Sequence, residues 1–444
     1  MPPSDALAAW VAGQRWFAGK TRRIVGVETE DRIAVGTATL TLVRVRLDGG
    51  GDDRYAIPLA PGADIADALD DGAYAPALFA LIRGGGRLGG EHGELVGVPT
   101  RACPADAGPL AARRLGGEQS NTSVALGDVA LLKHFRRVAA GPHPDQEVTG
   151  FLTERTAFAH APRLYGHLEY RAADGNTIVL AVAHELVRDA EDGWAWTLAE
   201  ARRALAGERA AEPGLAALER LGAVTAELHV ALASGAHEPA FVPEPVGPAD
   251  VARWTDAVRR QLDAARAALR GQRLPEVPDV AAGLGGLVGT VKTRHHGDYH
   301  LGQTLYRPAS GAWMVIDFEG EPLRPIHERR QKHAPLRDVA GMLRSIDYAA
   351  VAVAAAPDDA RARAWERAAA ARFLTGYRRG ASGAPFVPAS EAAFTRAVAA
   401  FVVEKAAYEI VYEASHRPDW IRIPVEGLAR AAGAITGARS AGAA

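Results

Sequence analysis

The nine residues from His295 to Gln303, which read HHGDYHLGQ, constrain this chain more than any other part of its sequence. Polar side chains of this density, broken by glycines, are typical of a loop rather than of a helix or strand. Asp298 and Gln303 lie five residues apart, and Asp317 follows Gln303 by fourteen residues, after a short apolar run. The apolar run predicts a strand. Two polar loops joined by a strand point to one site built from both.

Phosphoryl transfer needs a carboxylate that accepts the proton of the attacking hydroxyl and oxygen ligands that hold Mg²⁺ on the nucleotide phosphates. The spacing predicts Asp298 as the base, with Gln303 and Asp317 as metal ligands and Glu319 as a further one. Gln303 stands where most kinase folds use asparagine. We expect His296 to orient this loop close to the substrate; histidine as the general base is the rival hypothesis.

A phosphate-covering loop is predicted at 116–123, between two short strands. It is polar rather than glycine-rich, so phosphate contacts would come from backbone N–H groups and from Ser120, Asn121 and Thr122. On its own this segment is weak evidence. The strand Val179 to His184 is expected to lead into backbone contacts with adenine at Glu185 and Val187.

Lys133 ends the next predicted strand, where a lysine would contact the α- and β-phosphates. Glu147 lies on the following helix and is expected to pair with Lys133. The alternatives are an exposed lysine at a strand end and an acidic residue favoured by the helix dipole.

Lys405, Tyr408 and Tyr412 stand at positions i, i+3 and i+7 of a predicted helix and therefore share one face. An ammonium group and two phenols suit a sugar, because aromatic faces cover C–H surfaces while polar tips bond hydroxyls. The alternative is a half-buried amphipathic helix with tyrosines at its rim.

Composition narrows the class of protein. The 444 residues carry 51 Lys+Arg against 53 Asp+Glu, a net charge of −2, which argues against a nucleic-acid binder. The single cysteine excludes a disulfide framework and a cysteine-based zinc site. The longest apolar run, 349–356, is far short of a membrane span. With no basic segment before the first apolar stretch, we expect a cytoplasmic protein.

Strand and helix patterns divide the chain into three predicted parts. Residues 1–100 form a β-rich cap, 101–190 a nucleotide-binding lobe and 191–444 a helical acceptor lobe. Strands are predicted at 39–47, 54–59, 164–170 and 177–183, and helices at 145–158 and 215–232.

The catalytic loop and the IDFE sequence after it resemble the aminoglycoside-phosphotransferase branch of the protein-kinase-like fold. Over its whole length the chain resembles actinobacterial maltokinases. The shared segments, in order, are QRWFAGK at 14–20, GEQSNTS at 117–123, PHPDQEV at 142–148, DGW at 192–194, TAELH at 225–229, DFEGEP at 317–322, LRDVAGMLRS at 336–345, the Lys405–Tyr412 helix and RPDWIRIP at 417–424.

The resemblance implies a bilobal α+β kinase fold with an N-terminal cap, ATP and Mg²⁺ as cofactors, and phosphorylation of maltose at its anomeric C1 hydroxyl to maltose 1-phosphate for α-glucan synthesis. It implies that Lys405, Tyr408 and Tyr412 line the sugar pocket, and it makes a trehalose-converting enzyme a candidate partner. Tyr299 departs from the family pattern, where an aliphatic residue is expected, and could alter the acceptor pocket. Glucosamine, an antibiotic acceptor and a non-catalytic pseudokinase are the alternatives.

Overall fold

The computed structural model describes residues 4–116, 120–208, 210–271, 273–322, 324–356 and 358–436. The chain divides into two compact units. The first unit comprises Met1–Arg188 with Pro322–Ile326, and the second comprises Asp189–Glu321 with His327–Ala444.

The first unit is rich in antiparallel sheet. Its helices are α1 (Ser4–Gly13), α2 (Tyr74–Gly84) and α3 (Pro144–Arg155). Its strands are β1 (Ile24–Val35), β2 (Ala38–Leu47), β3 (Asp52–Leu59), β4 (Arg87–Gly89), β5 (Gly93–Pro99), β6 (Ala112–Arg114), β7 (Asn121–Leu126), β8 (Ala130–Phe135), β9 (Arg137–Val138), β10 (Leu164–Ala172) and β11 (Thr177–Glu185).

These strands form two sheets. One has the order β1-β2-β3-β9, and the other has the order β4-β5-β10-β11-β8-β7-β6. Strand β5 comes from the predicted cap, yet it pairs along its whole length with β10 of the predicted nucleotide lobe, from Gly93 opposite Ala172 to Pro99 opposite Gly166. The larger sheet therefore crosses residue 100, and the domain boundary placed there stays a prediction.

One hydrophobic core serves both parts of the first unit. Leu78 and Ile82 on α2 are fully buried in the same cluster as Leu168 on β10 and Leu180 on β11. A second, smaller cluster packs α1 and Trp16 against Val43 and neighbouring side chains of the small sheet. Successive residues of a strand point to opposite faces, so the run of buried residues from Ile178 to Ala183 shows that both faces of β11 are covered.

The second unit is mostly helical. Its helices are α4 (Gly193–Ala206), α5 (Glu212–Leu232), α6 (Pro248–Ala268), α7 (Val280–Leu284), α8 (Ile326–Arg329, which begins at the unit boundary), α9 (Leu336–Val353), α10 (Ala360–Gly380), α11 (Glu391–His416) and α12 (Arg422–Thr436). Its strands are β12 (Glu191–Asp192), β13 (Glu244–Pro245), β14 (Val291–Lys292), β15 (Thr304–Arg307) and β16 (Ala312–Val315).

The α+β class predicted from the sequence is confirmed, with a sheet-rich first unit and a helical second one. Most of the predicted strands and helices are present, shifted by a few residues at their ends. The strand predicted from the apolar run before Asp317 is short, because β16 ends at Val315 and Asp317 adopts a left-handed φ of 65°. A residue with that φ cannot continue a strand.

Candidate active site

The backbone of the loop that carries Asp298 is hydrogen-bonded to one buried carboxylate. Asp338, in the first turn of α9, is 2% exposed. Its two oxygens accept hydrogen bonds from the backbone N–H of His296 at 2.7 Å and of Gly297 at 3.0 Å. Gly297 has a φ of 87°, a conformation that favours glycine. Both features fix the backbone immediately before Asp298.

Asp338 is held in turn by a histidine and a tyrosine from two further helices. The Nε2 of His229 on α5 lies 3.2 Å from Asp338, and its Nδ1 lies 3.0 Å from the hydroxyl of Tyr377 on α10. Burial alone would raise the pKa of Asp338, but the nearby His295 and His229 outweigh it and hold that pKa below its usual range. The sequence showed His229 and Asp338 only inside family motifs, and no local pattern predicts that they meet.

The ring of His296 connects the loop at 295–303 to the segment that follows β16. Its Nε2 lies 2.9 Å from the carbonyl of Ile316, and its Nδ1 accepts a long hydrogen bond, 3.4 Å, from the N–H of Asp298. The ring is 2% exposed. This geometry supports the orienting role, and direct contact of His296 with a substrate stays a prediction.

The side chain of Tyr299 is buried. It is 2% exposed, and its hydroxyl lies 2.9 Å from Thr225 Oγ1 on α5. The side chain packs against α5, and an effect of Tyr299 on the acceptor pocket stays a prediction.

The predicted metal ligands meet beside this loop. The Nε2 of Gln303 donates to Asp317 Oδ2 at 2.8 Å, so these two side chains lie in direct contact. Asp317 has a positive φ, and backbone strain of this kind concentrates at functional sites. Glu319 is 6% exposed and lies 3.7 Å from Arg329. Amide and carboxylate oxygens are the donors that Mg²⁺ prefers, so this set fits the ion.

Asp298 itself contacts the helix that was predicted to hold a sugar. Lys405 Nζ on α11 lies 3.1 Å from Asp298 Oδ1 and 3.6 Å from Glu321 Oε1. Burial alone would lower the pKa of Lys405, but these carboxylates outweigh it and raise that pKa above its usual value. The ammonium also lies 5.1 Å from the centre of the Tyr408 ring. The structure thus joins the predicted base to the predicted acceptor face.

Beyond Tyr408, the same face of α11 carries stacked aromatic rings. Tyr412 is 40% exposed and stacks on His416, with ring centres 4.4 Å apart. Arg417 lies 5.6 Å from the centre of the Tyr412 ring and 5.0 Å from that of Trp420. A partly exposed surface of this kind can cover the apolar face of a ring ligand.

In the first unit, Lys133 lies within β8 opposite Ser123 of β7, rather than at the strand's end. Its ammonium is 3.5 Å from Asp145 Oδ2 on α3. Burial alone would raise the pKa of Asp145, but His184 and Lys133 lower it below the usual range. The sequence pattern does not predict Asp145 as a partner of Lys133. The expected pairing of Lys133 with Glu147 stays a prediction.

The predicted phosphate loop is described only in part, since 117–119 lie outside the described residues. Ser120 is exposed, whereas Asn121 and Thr122 are buried in β7. The hydroxyl of Thr122 accepts a hydrogen bond from Arg136 Nε at 2.9 Å. A phosphate contact by these three side chains stays a prediction.

Backbone hydrogen bonds fix the end of β11 and the residue that follows it. Glu185 N–H donates to Arg163 O at 2.8 Å, and Leu186 N–H donates to Val129 O at 3.0 Å. Within the described part of the chain, the N–H of Val187 has no hydrogen-bond partner. Adenine contacts at Glu185 and Val187 stay a prediction that this pattern supports.

Comparison with known proteins agrees with this arrangement. The family model described as the maltokinase N-terminal cap domain matches residues 10–88. A glucosamine kinase of Streptacidiphilus jiangxiensis is 31% identical over 402 residues, which cover 87% of this chain and 84% of that protein. This chain belongs to the maltokinase-like family of sugar kinases. A glucosamine kinase of Mycolicibacterium smegmatis is 30% identical over 405 residues, covering 86% of this chain and 96% of that protein.

Solved structures of this family share the whole fold. A glucosamine kinase structure (crystal form B) has a TM-score of 0.72 at 26% identity and covers 97% of this chain and 99% of its own. Another, in complex with glucosamine, ADP and inorganic phosphate, has a TM-score of 0.70 at 25% identity with the same coverage. As a family member, this chain is an ATP-dependent phosphotransferase that uses Mg²⁺ and acts on an alcohol group. Among its described residues, no helix is both long and apolar enough to cross a membrane.

Proposed function

We propose that this kinase phosphorylates maltose at the anomeric C1 hydroxyl and releases maltose 1-phosphate. The observation that carries the proposal is the contact between Asp298 and Lys405, at 3.1 Å, because Asp298, the proposed proton acceptor, then lies at one end of the helix face that carries Tyr408 and Tyr412. A sugar lying on those rings would present a hydroxyl to Asp298. The match of residues 10–88 to the maltokinase cap supports the same acceptor.

The charges along α11 favour a neutral acceptor. Three of its carboxylates each have an arginine partner: Glu404 with Arg337 at 3.1 Å, Glu409 with Arg344 at 2.7 Å and Glu413 with Arg417 at 2.7 Å. A cationic amine would have to compete with these guanidinium groups for each carboxylate. A neutral disaccharide needs only hydrogen bonds and aromatic surface.

In the proposed reaction, Asp298 accepts the proton of the C1 hydroxyl as its oxygen attacks the γ-phosphorus. The bond from that phosphorus to the bridging oxygen of ADP breaks, and ADP leaves. Lys133 binds the phosphates, while Gln303 and Asp317, with Glu319, hold Mg²⁺. When bound, the ion neutralises charge on the phosphate oxygens. The side chains otherwise contribute position and charge rather than covalent chemistry.

Glucosamine is the second candidate acceptor. It is favoured by the two relatives at 31% and 30% identity, both glucosamine kinases that align over most of this chain. The two acceptors differ in charge and in length, so a direct competition between them separates the proposals.

The test is a panel of maltose, glucosamine, glucose, maltotriose and kanamycin, each incubated with the purified protein, ATP and Mg²⁺. ADP release gives the rate, and NMR locates the new phosphate. We expect the highest kcat/KM on maltose with the phosphate at C1. Turnover of glucosamine but not of maltose would overturn the acceptor and leave the kinase assignment in place.

The Asp298→Asn variant tests the base in the same assay. Removal of a general base typically costs about 10²–10⁴-fold in rate. We expect a loss of that size, with unchanged circular dichroism and melting temperature. Full activity of the folded variant would show that Asp298 is not the general base. A wild-type protein inactive on every sugar of the panel would favour the pseudokinase alternative.

On this proposal, maltose 1-phosphate enters α-glucan synthesis, and a trehalose-converting enzyme is a candidate binding partner.

A further inference from the structure

The strand that carries Lys133 continues directly into the cap sheet. Strand β8 ends at Phe135, and after Arg136 the chain enters β9, which pairs with β3. The N–H of Ala56 on β3 donates to the carbonyl of Arg136 at 2.9 Å. The backbone three residues beyond Lys133 is therefore bonded to the cap region.

The side chain of Arg136 makes a second connection. It is fully buried. Its Nε donates to Thr122 Oγ1 on β7 at 2.9 Å, and its Nη2 donates to Asp67 Oδ2 in the cap region. The guanidinium carbon lies 5.4 Å from the centre of the Trp16 ring, in the QRWFAGK segment. One buried cation thus joins the strand after the phosphate loop to two cap residues.

Asp67 is itself fixed in place. Its Oδ1 accepts a hydrogen bond from Leu69 N–H at 3.0 Å and begins a short 3₁₀ turn over Ala68–Asp70. Arg114 on β6, the neighbour of β7, lies 4.0 Å from Asp67 and bonds Asp70. Arg114 on β6 and Arg136, which follows β8, therefore reach the same acidic turn of the cap.

The register of β7 gives these contacts a consequence for the nucleotide. Thr122 points to the face that carries Arg136, so its neighbours Asn121 and Ser123 point to the other face, where Ser123 lies opposite Lys133. The position of Thr122 thus sets the position of the residues that flank it. A buried guanidinium that loses its carboxylate partner is strongly destabilised. The carboxylate of Asp67 therefore keeps Arg136 in the buried position from which it donates a hydrogen bond to Thr122.

We propose that the cap region positions the nucleotide-binding strands through Asp67, Arg136 and Thr122. These are positioning residues, and the inference rests on the proposed nucleotide role of Lys133 and of the loop at 116–123. It gives the cap a part in ATP binding without any contact of cap residues with the nucleotide.

The test compares two cap carboxylates that each bind two arginines. Asp67→Asn removes the charge opposite Arg136. Glu30→Gln is the matched control, since Glu30 on β1 accepts hydrogen bonds from Arg44, at 2.6 and 2.9 Å, and from Arg54. The probe is the fluorescent nucleotide MANT-ADP with Mg²⁺, which needs no acceptor sugar. We expect Asp67→Asn to weaken its binding about tenfold and Glu30→Gln to leave it unchanged.

Thr122→Val keeps the inference testable if Asp67→Asn does not fold, because it removes only a hydroxyl. We expect it to raise the KM for ATP severalfold while the KM for the acceptor stays constant. Equal binding of MANT-ADP by Asp67→Asn and Glu30→Gln, or an unchanged KM for ATP in Thr122→Val, would overturn the inference. A wild-type protein that binds no MANT-ADP would instead overturn the proposed nucleotide site.

Discussion

Lys405 lies on the predicted sugar face and also contacts two carboxylates. Its spacing with Tyr408 and Tyr412 predicts a sugar contact, whereas the structure puts its ammonium on the base Asp298 and on Glu321. Such an ammonium holds the carboxylate of Asp298 in one orientation and balances the charge of two acidic groups. We therefore expect Lys405 to position the proposed base, and its contact with an acceptor stays a prediction.

The Lys405→Met variant tests this role. We expect kcat to fall about 10²-fold, because a misplaced base loses much of its catalytic effect. Lys292→Met is a matched control, since Lys292 also bridges two carboxylates, Asp250 at 2.7 Å and Glu244 at 3.5 Å. Steady-state kinetics and melting temperatures of both variants make the measurement. A fall in kcat that is equal in the two variants would contradict the role.

At the scale of single elements, helices α5 and α10 of the second unit pack through glycines. A Cβ added at Gly376 would lie 1.9 Å from the carbonyl oxygen of Glu219, and one added at Gly222 would lie 2.0 Å from that of Phe373. No side chain fits at such distances unless the helices move apart. These helices also carry His229 and Tyr377, which support the catalytic loop through Asp338.

We expect Gly376→Ala to lower the free energy of unfolding by about 3 kcal/mol, because it overpacks this helix contact. Gly150→Ala on α3 is the control. A Cβ there would lie 3.6 Å from Leu164, an ordinary contact, and alanine gains helix propensity of about 1 kcal/mol. Urea unfolding of both variants decides the point. A Gly376→Ala protein as stable as the wild type would show that the helices pack less closely than described.

The sequence predicts the elements whose signals are local and misses those that depend on distant partners. The alternation at 39–47 and the Asp174-Gly175-Asn176 turn predict β2 and the β10–β11 hairpin, and the spacing of Asp298 to Gln303 predicts the catalytic loop. Helix α2 was not predicted. Asp145 and Asp338 were missed because their role comes from burial against groups far away in the chain, which no local pattern encodes.

At the scale of the molecule, the cap is part of the first unit's core. Deletion of residues 1–100 would expose the edge of β10, which pairs with β5, and remove α2 from the hydrophobic cluster. An unpaired strand edge beside an open apolar core promotes aggregation. We expect the fragment 101–444 to be insoluble or to lack a cooperative melt, and co-expression with 1–100 to restore solubility. A stable monomeric 101–444 fragment would mean that the cap is a separate domain.

Acid should destabilise the whole protein through its buried aspartates. Asp145, Asp338 and Asp347 have pKa values below the usual range, although burial alone would raise them. Neighbouring histidines lower the pKa of Asp145 and Asp338, with Lys133 also acting on Asp145. Around Asp347, the pKa is lowered by Arg344, Arg430 and Arg363. Near and below pH 4 these carboxyl groups become protonated in the unfolded chain while they stay ionised in the folded protein. The stability that these three groups contribute is therefore fully present above that range, and it is lost as the pH drops through it.

Each such group contributes a slope of up to about 1.4 kcal/mol per pH unit. Urea unfolding between pH 3 and pH 7 should show a plateau near neutrality and a steep decline below about pH 4. Asp347→Asn should be less stable at pH 7 and should lose the acid-dependent slope of one proton, because the variant has no carboxylate there to protonate. Asp358→Asn, at an exposed position, should keep the full slope. An acid limb of the same steepness in Asp347→Asn and the wild type would contradict the assignment of that slope to buried, arginine-paired carboxylates.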